Sequence, residues 1–89
     1  MNKARRARLQ EVIAKLEELD SIRCGAMEML SEVIDEEQES LDNLPESIQG
    51  SEKGEQMQEY IDSMQSVYDD LDSTDVSGWV DALNEIAGV

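Results

Sequence analysis

Acidic side chains at helical spacing are the residues of this sequence with the clearest capacity for binding. On a helix, side chains three or four positions apart stand about 5–6 Å from each other. A ladder of carboxylates can therefore compete with a nucleic-acid backbone for a basic protein surface. The alternative is a solvated acidic face that only keeps the protein soluble. We expect a partner-binding surface formed by Glu28, Glu32, Asp35, Glu36, Glu39, Asp62, Asp69 and Asp70.

A second acidic segment, DDLDSTDVSGWVD at residues 69–81, partly matches a calcium-binding loop. Counted from Asp70, the carboxylates of Asp72 and Asp81 stand at ligand positions 3 and 12. Position 6 requires glycine and holds Asp75, and position 12 lacks the longer glutamate side chain. We therefore expect no metal ion and no cofactor, with weak calcium binding as the alternative. The preferred interpretation is a break in a helix.

Catalytic chemistry has little basis in this chain. The sequence has no histidine and one cysteine, Cys24, so histidine-based triads and zinc or iron–sulfur sites are excluded within a monomer. No glycine-rich phosphate loop occurs. We expect a protein that is not an enzyme. Because no internal disulfide can form and no signal peptide or apolar membrane span is present, we expect a cytoplasmic protein.

The charge is unevenly distributed along the chain. The net charge is -15, yet residues 1–23 hold six of the seven basic groups against four acids, and residues 24–89 hold eighteen acids against Lys53. Such a surface repels nucleic acids and anionic membranes and attracts basic partners. The basic start KARRAR could form a nucleic-acid patch. We prefer the alternative that nearby acids, or contacts between copies, offset it.

Apolar residues at gaps of three and four predict a single all-α domain over residues 1–89. The pattern indicates a first helix over about 3–42, a turn over 43–51 around Pro45, and a second helix over about 52–72. Weak helix formers then predict a kink at Ser73–Asp75 and a last helix over about 75–87. An unbroken helix to the end of the chain is the alternative. Gly25 is a candidate kink or close-packing point in the first helix.

Short connections favour antiparallel neighbours, so these helices predict a long, coiled-coil-like antiparallel hairpin. The hairpin brings Arg23 opposite Asp72 and Asp75, which suggests an ion pair across the kink. Two helices alone share a small core. We therefore favour a homodimer that forms a four-helix bundle. Trp79, the only tryptophan, is either a local core residue or an anchor in a protein interface.

The segments MNKARRARLQEVIAKLEEL and DNLPESIQGSEKGEQMQEYID resemble small acidic coiled-coil proteins of bacteriophages and integrated mobile elements of Gram-positive bacteria. The resemblance implies a biological context and no site residues. In that context we expect an inhibitor or accessory factor that occupies the basic nucleic-acid-binding surface of a target, such as a defence enzyme, in the manner of anti-restriction or anti-CRISPR proteins. The alternative is a structural or adaptor coiled coil that oligomerises through its apolar stripe.

Overall fold

The structure is a computed structural model that describes residues 1–88, and every regular element in that range is an α-helix. The helices are α1 (Lys3–Asp42), α2 (Glu46–Gln49), α3 (Glu52–Asp72) and α4 (Val76–Ala87). The predicted all-α class and the predicted kink at residues 73–75 are thereby confirmed, and the alternative of an unbroken helix is wrong. None of these helices combines the length and apolar character needed to cross a membrane.

The chain divides into two compact units at Gly25 and Ser73. The terminal unit contains residues 1–25 and 74–88, and the central unit contains residues 26–73. Helix α1 contributes to both units, α2 and α3 belong to the central unit, and α4 belongs to the terminal unit. The single domain over residues 1–89 stays a prediction.

Helix α1 is long because its ends are stabilised and its buried positions repeat regularly. The Asn2 side chain accepts a hydrogen bond from the Arg5 backbone N–H at 2.9 Å, which caps the first turn. Ile13, Met27 and Leu41 are buried and lie fourteen residues apart, so a two-heptad repeat keeps them on one face. Gly25, the candidate kink or close-packing point, is not closely packed in this chain. A Cβ there would meet nothing within 4 Å, and α1 continues through this residue.

In the central unit, the turn between α1 and α3 is held by Gln49. Pro45 ends the first helix and stands as the N-cap of α2. The Gln49 amide then donates to the carbonyl of Asp42 at 3.2 Å and to that of Leu44 at 2.8 Å. Carbonyls at a helix C-terminus have no partner within the helix. Gln49 therefore closes the end of α1 and fixes the position of α2.

Gly54, in the first turn of α3, is buried against the backbone of α2. A Cβ on Gly54 would contact the Gln49 carbonyl oxygen and would lie 2.6 Å from the Gln49 carbonyl carbon and 2.8 Å from the Ile48 carbonyl oxygen. Only a residue without a side chain fits this approach. Leu41 and Gln58 line a groove together with Gly54, so the end of α1 lies beside the start of α3.

In the terminal unit, α4 lies against the first half of α1. Val76 is only 1% exposed and is the most buried side chain of this unit. A groove of about 250 Å³ is lined by Glu17 and Asp20 of α1 and by Val76, Ser77 and Val80 of α4. Ile13 is the other buried residue of the unit. The kink at residues 73–75 thus sets the start of a short helix that buries Val76.

Candidate functional site

The acidic residues predicted to bind a partner all lie on the surface of the central unit. Each of the eight side chains is exposed, and each belongs to the segment 26–73. Five come from α1 and three come from α3, namely Glu28, Glu32, Asp35, Glu36, Glu39, Asp62, Asp69 and Asp70. The two helices therefore supply one compact unit with carboxylates that solvent and large ligands can reach.

The central unit carries nearly all the net charge of the protein. Residues 26–73 contain fifteen Asp and Glu side chains and one basic side chain, Lys53, which gives a net charge of -14. The remaining residues contain seven acids and six bases, so their net charge is -1. One lysine cannot neutralise fifteen carboxylates. The electrostatic field that a basic partner would experience therefore originates in the central unit.

Glutamine side chains orient several carboxylates of this unit. The amide of Gln58 donates to Asp62 at 2.9 Å, and that of Gln65 donates to Asp69 at 3.0 Å, both across one helical turn. Gln38 and Asp42 form the same contact at 2.9 Å on α1. A neutral donor holds a carboxylate in place and leaves its charge intact, unlike lysine or arginine at the same position. The Gln-x-x-x-Asp spacing signals this feature in the sequence, and our sequence analysis missed it.

Two ion pairs of α1 lie in the terminal unit. Lys15 contacts Glu18 at 3.5 Å, and the Arg23 guanidinium contacts the carboxylate of Asp20 at 2.8 Å. Asp20, one turn earlier on α1, is therefore an acidic partner of Arg23 within this unit. The expected partner Asp75 has another role, because its carboxylate accepts a hydrogen bond from the Gly78 backbone N–H at 2.9 Å and caps α4.

Trp79 lies on α4 with half of its side chain exposed, at 50%. The residue three positions earlier, Val76, is the one that packs inside. Both residues belong to the same apolar stripe, and the structure turns Val76 inward and leaves the indole partly in solvent. An exposed tryptophan can anchor a protein interface. Its role as an anchor stays a prediction, and Val76 is the local core residue that sequence reasoning did not select.

The segment around Asp70–Asp81 is a helix end followed by a helix start. Residues 73–75 separate α3 from α4, and Asp75 uses its carboxylate as the cap. A Cβ at Gly78 would lie 2.8 Å from the Asp75 Cγ, so a larger residue there would require the capping carboxylate to shift. Within residues 1–88 no three His, Cys, Asp or Glu side chains converge on a common point in a metal-binding arrangement.

Comparisons with family models, with curated proteins and with solved structures found no match to this chain.

Proposed function

We propose that this protein is a non-enzymatic, acidic binding module, and that its central unit occupies a basic nucleic-acid-binding surface of a target protein. It acts as an inhibitor or accessory factor of the anti-restriction or anti-CRISPR type, encoded by a phage or mobile element and working in the bacterial cytoplasm. The observation that carries this proposal is the net charge of -14 on residues 26–73, displayed by exposed side chains.

The charge density supports imitation of a nucleic-acid backbone. Helix α3 has 21 residues and is therefore about 31 Å long. Divided over that length, the net charge of the central unit corresponds to roughly one negative charge per 2 Å. A single nucleic-acid strand carries one charge per ~3.4 Å and a duplex one per ~1.7 Å, so the central unit lies between them. A cleft that holds nucleic acid would therefore meet a similar field in this unit.

The distribution of charge also supports a binding role over a purely structural one. Like charges four residues apart on a helix, such as Glu28 and Glu32, destabilise it by about 0.2–0.5 kcal/mol per pair. Solubility needs a net charge of only about 2–8 for a small domain. The central unit exceeds that range and has one base. An excess of negative charge that lowers the stability of the helix is expected where a binding partner requires that charge.

The test is capture of target proteins from a bacterial lysate on the immobilised chain, followed by competition on one purified target. We expect basic proteins to bind at about 50 mM salt and to be released at about 500 mM salt, because screening weakens exposed charge pairs. A single-stranded DNA oligonucleotide should displace the same proteins. Capture that resists both salt and DNA would contradict the proposal.

Matched variants localise the binding surface. Replacing Glu28, Glu32, Asp35 and Asp62 with lysine reverses four exposed charges of the central unit. Replacing four exposed acids of the terminal unit makes the same change in net charge, at Glu11, Glu18, Asp81 and Glu85. We expect the first variant to lose target binding and the second to retain most of it. Equal losses would show that total charge, and not the central surface, drives binding.

A second candidate function is that of a structural or adaptor protein that acts through apolar surface, with two copies forming a four-helix bundle of antiparallel hairpins. The observation that favours it is the exposure of apolar side chains on every long helix, including Ile22 and Met29 of α1 at 70% each, Tyr60 of α3 and Trp79 of α4. Two grooves also support antiparallel neighbours. Leu41 of α1 and Gln58 of α3 line one groove, and Glu17 of α1 and Val80 of α4 line the other. Salt should hardly affect an association of this kind.

A further inference from the structure

The terminal unit has an exposed apolar edge to which both of its helices contribute. On α1, Val12 and Leu19 are one heptad apart, and each is 46% exposed. On α4, Trp79 and Ile86 are also one heptad apart, and they are 50% and 46% exposed. Single exposed apolar residues are ordinary, whereas heptad spacing on two neighbouring helices is typical of a packing surface. We call these four residues the terminal patch.

On α1, the patch and the groove between α1 and α4 lie at opposite edges of the buried face. The buried residue of this face is Ile13. Successive residues of a helix are rotated by about 100°, so Val12 lies about 100° before Ile13 and Leu19 about 120° before it. Glu17, which lines the groove, lies about 40° after Ile13. The patch therefore occupies the edge of α1 that faces away from this groove.

Helix α4 has the same arrangement around its buried residue, Val76. Trp79 lies about 60° before Val76 and Ile86 about 80° before it, whereas Ser77 and Val80 lie about 100° and 40° after it. Ser77 and Val80 line the groove. Because the groove joins the later edges of the two helices, their earlier edges adjoin on the opposite side. The patch is therefore one surface built by both helices of the unit.

Basic side chains border the patch on α1. Arg8 and Lys15 precede Val12 and Leu19 by four residues, so they lie one turn away on the same side of the helix. An apolar groove of about 320 Å³ extends the patch toward the start of α1. The residues that line this groove are Met1, Arg5, Arg8, Leu9 and Val12.

The two helices of the terminal unit carry charges of opposite sign. Residues 1–25 contain six bases and four acids, which gives a charge of +2. Residues 74–88 contain Asp75, Asp81 and Glu85 and no base, which gives a charge of -3. A surface with one basic and one acidic helix is complementary to a copy of itself that is rotated so that unlike helices meet.

We propose that the terminal patch binds the terminal patch of a second copy, with α1 of each copy against α4 of the other. This pairing rests on the homodimer proposed above and assigns its interface to the terminal unit. The apolar patch supplies most of the affinity, with Trp79 as its largest side chain, and the charges of the two helices set the orientation.

Charge selects both the occupant and the orientation. Pairing α1 with α1 and α4 with α4 would bring bases beside bases and acids beside acids, and like charges across an interface oppose association. The central unit of a second copy, with a net charge of -14, would meet the acidic α4 as well as the basic α1. A second terminal unit with α1 against α4 avoids both repulsions.

Trp79→Lys tests the patch in analytical ultracentrifugation. We expect the dimer to weaken about thirtyfold or more, because the variant replaces a central aromatic contact with a charge that faces the basic α1 of the other copy. Helix content, measured by circular dichroism, should stay unchanged. Tyr60→Lys, at an aromatic residue of the central unit that is 53% exposed, is the matched control and should change dimerisation by less than about twofold. Equal losses in the two variants overturn the assignment to the terminal unit.

Charge reversal tests the orientation without changing an apolar residue. One variant carries Arg5→Glu and Arg8→Glu, and the other carries Asp81→Lys and Glu85→Lys. Glutamate near a helix start and lysine near a helix end favour the helix, so we expect both variants to stay folded. Each variant alone should dimerise about tenfold more weakly than the wild type, because its two helices then carry the same sign.

Mixing the two charge variants should restore dimerisation, because each helix again meets one of opposite sign. Contacts within one chain cannot produce this recovery, since each variant keeps its own unfavourable pair. Dimers of undiminished strength in the separate variants indicate that α1 pairs with α1, and absence of recovery in the mixture excludes the contact between α1 and α4. Either result overturns the proposal.

The outcome for the terminal patch is separable from that for the acidic surface. Trp79→Lys should still capture basic proteins at about 50 mM salt and release them at about 500 mM, because the acidic surface belongs to the central unit. A dimer that withstands Trp79→Lys, or a wild-type chain that is monomeric at about 100 μM, overturns the terminal patch and leaves the acidic function in place. Absence of salt-sensitive capture by the wild type overturns the acidic function alone.

Discussion

The two units of this chain handle charge in opposite ways. The terminal unit holds seven acids and six bases and forms the ion pairs Lys15–Glu18 and Arg23–Asp20. The central unit holds fifteen acids and one base, and glutamine amides contact its carboxylates. The terminal unit is balanced as an ordinary helical surface is. The central unit has a net charge of -14, and the function proposed above assigns this excess to a partner.

The units also differ in how their helices begin and pack. In the central unit, α3 starts at Ser51, and that side chain donates to the Ile48 carbonyl and does not cap the helix. Backbone contact at Gly54 holds α3 in place. In the terminal unit, Asp75 caps α4, and Val76 directly after it is buried. The acidic unit therefore depends on close backbone packing, and the balanced unit depends on a cap and a buried side chain.

Gly54→Ala should have the largest effect on stability, because it breaks the backbone contact on which the central unit depends. The added Cβ would overlap the Gln49 carbonyl, and α2 would have to move. We expect a loss of about 3 kcal/mol in the free energy of unfolding, measured by urea denaturation. Gly25→Ala is the matched control. Its Cβ meets nothing within 4 Å, so it should stabilise α1 by about 1 kcal/mol. If both substitutions change stability equally, the backbone contact at Gly54 does not hold α3 in place.

Val76→Ala tests the terminal unit in the same way. The side chain is 1% exposed, so its truncation removes buried methyl groups and leaves a cavity. We expect a loss of about 2 kcal/mol in thermal or urea denaturation. Val67→Ala, at a site on α3 that is 53% exposed, should change stability by less than about 0.5 kcal/mol. If the two valines behave alike, Val76 is not the core of its unit.

Asp75→Ala tests the difference between the two helix starts. It removes the acceptor of the Gly78 N–H and should cost about 1 kcal/mol. Asp75→Asn should retain most of the stability, because asparagine caps equally well. Ser51→Ala should cost only a few tenths of a kcal/mol, because the Ser51 side chain makes no cap hydrogen bond in α3. A larger loss at Ser51 than at Asp75 would reverse the comparison.

Periodicity and helix propensity predicted much of this architecture. Gaps of three and four located α1 and α3, and the run from Asp72 to Gly78 of weak helix formers located the kink. The sequence did not single out Asp75 as the cap of α4, because Asp72, Ser73 and Thr74 are equally plausible caps. Gly25, which the sequence marked as a candidate kink or close-packing point, and Gly54, which it did not mark, show the same limit. The contacts of a glycine cannot be predicted before the position of the neighbouring turn is known. At Gly54 that turn is held by the hydrogen bonds from the Gln49 amide to the carbonyls of Asp42 and Leu44.

The sequence predicted which acidic residues are exposed, but it did not predict how the charge is divided between the two units. Exposure of Glu32 or Asp62 follows from a hydrophilic helix face, and the structure agrees. The division of charge at Gly25 and Ser73 was not predictable, because the boundary depends on which segments pack together. Trp79 and Val76 show why burial within a stripe escapes sequence analysis. They are three residues apart on one helix face, and a small rotation of α4 decides which of them meets α1.

Glu32→Gln should have the smallest effect on stability. Whether it raises or lowers stability tests the difference in charge between the two units. Glu32 lies one turn from both Glu28 and Glu36, so neutralising it removes two like-charge contacts from α1. We expect a small rise in the urea midpoint at low salt that disappears at high salt, because screening removes the same repulsion. Lys15→Gln in the terminal unit should instead lower the midpoint slightly, because it removes the contact with Glu18. If Glu32→Gln destabilises the protein, the carboxylate supports the fold, and the central charge then has a structural role that does not require a partner.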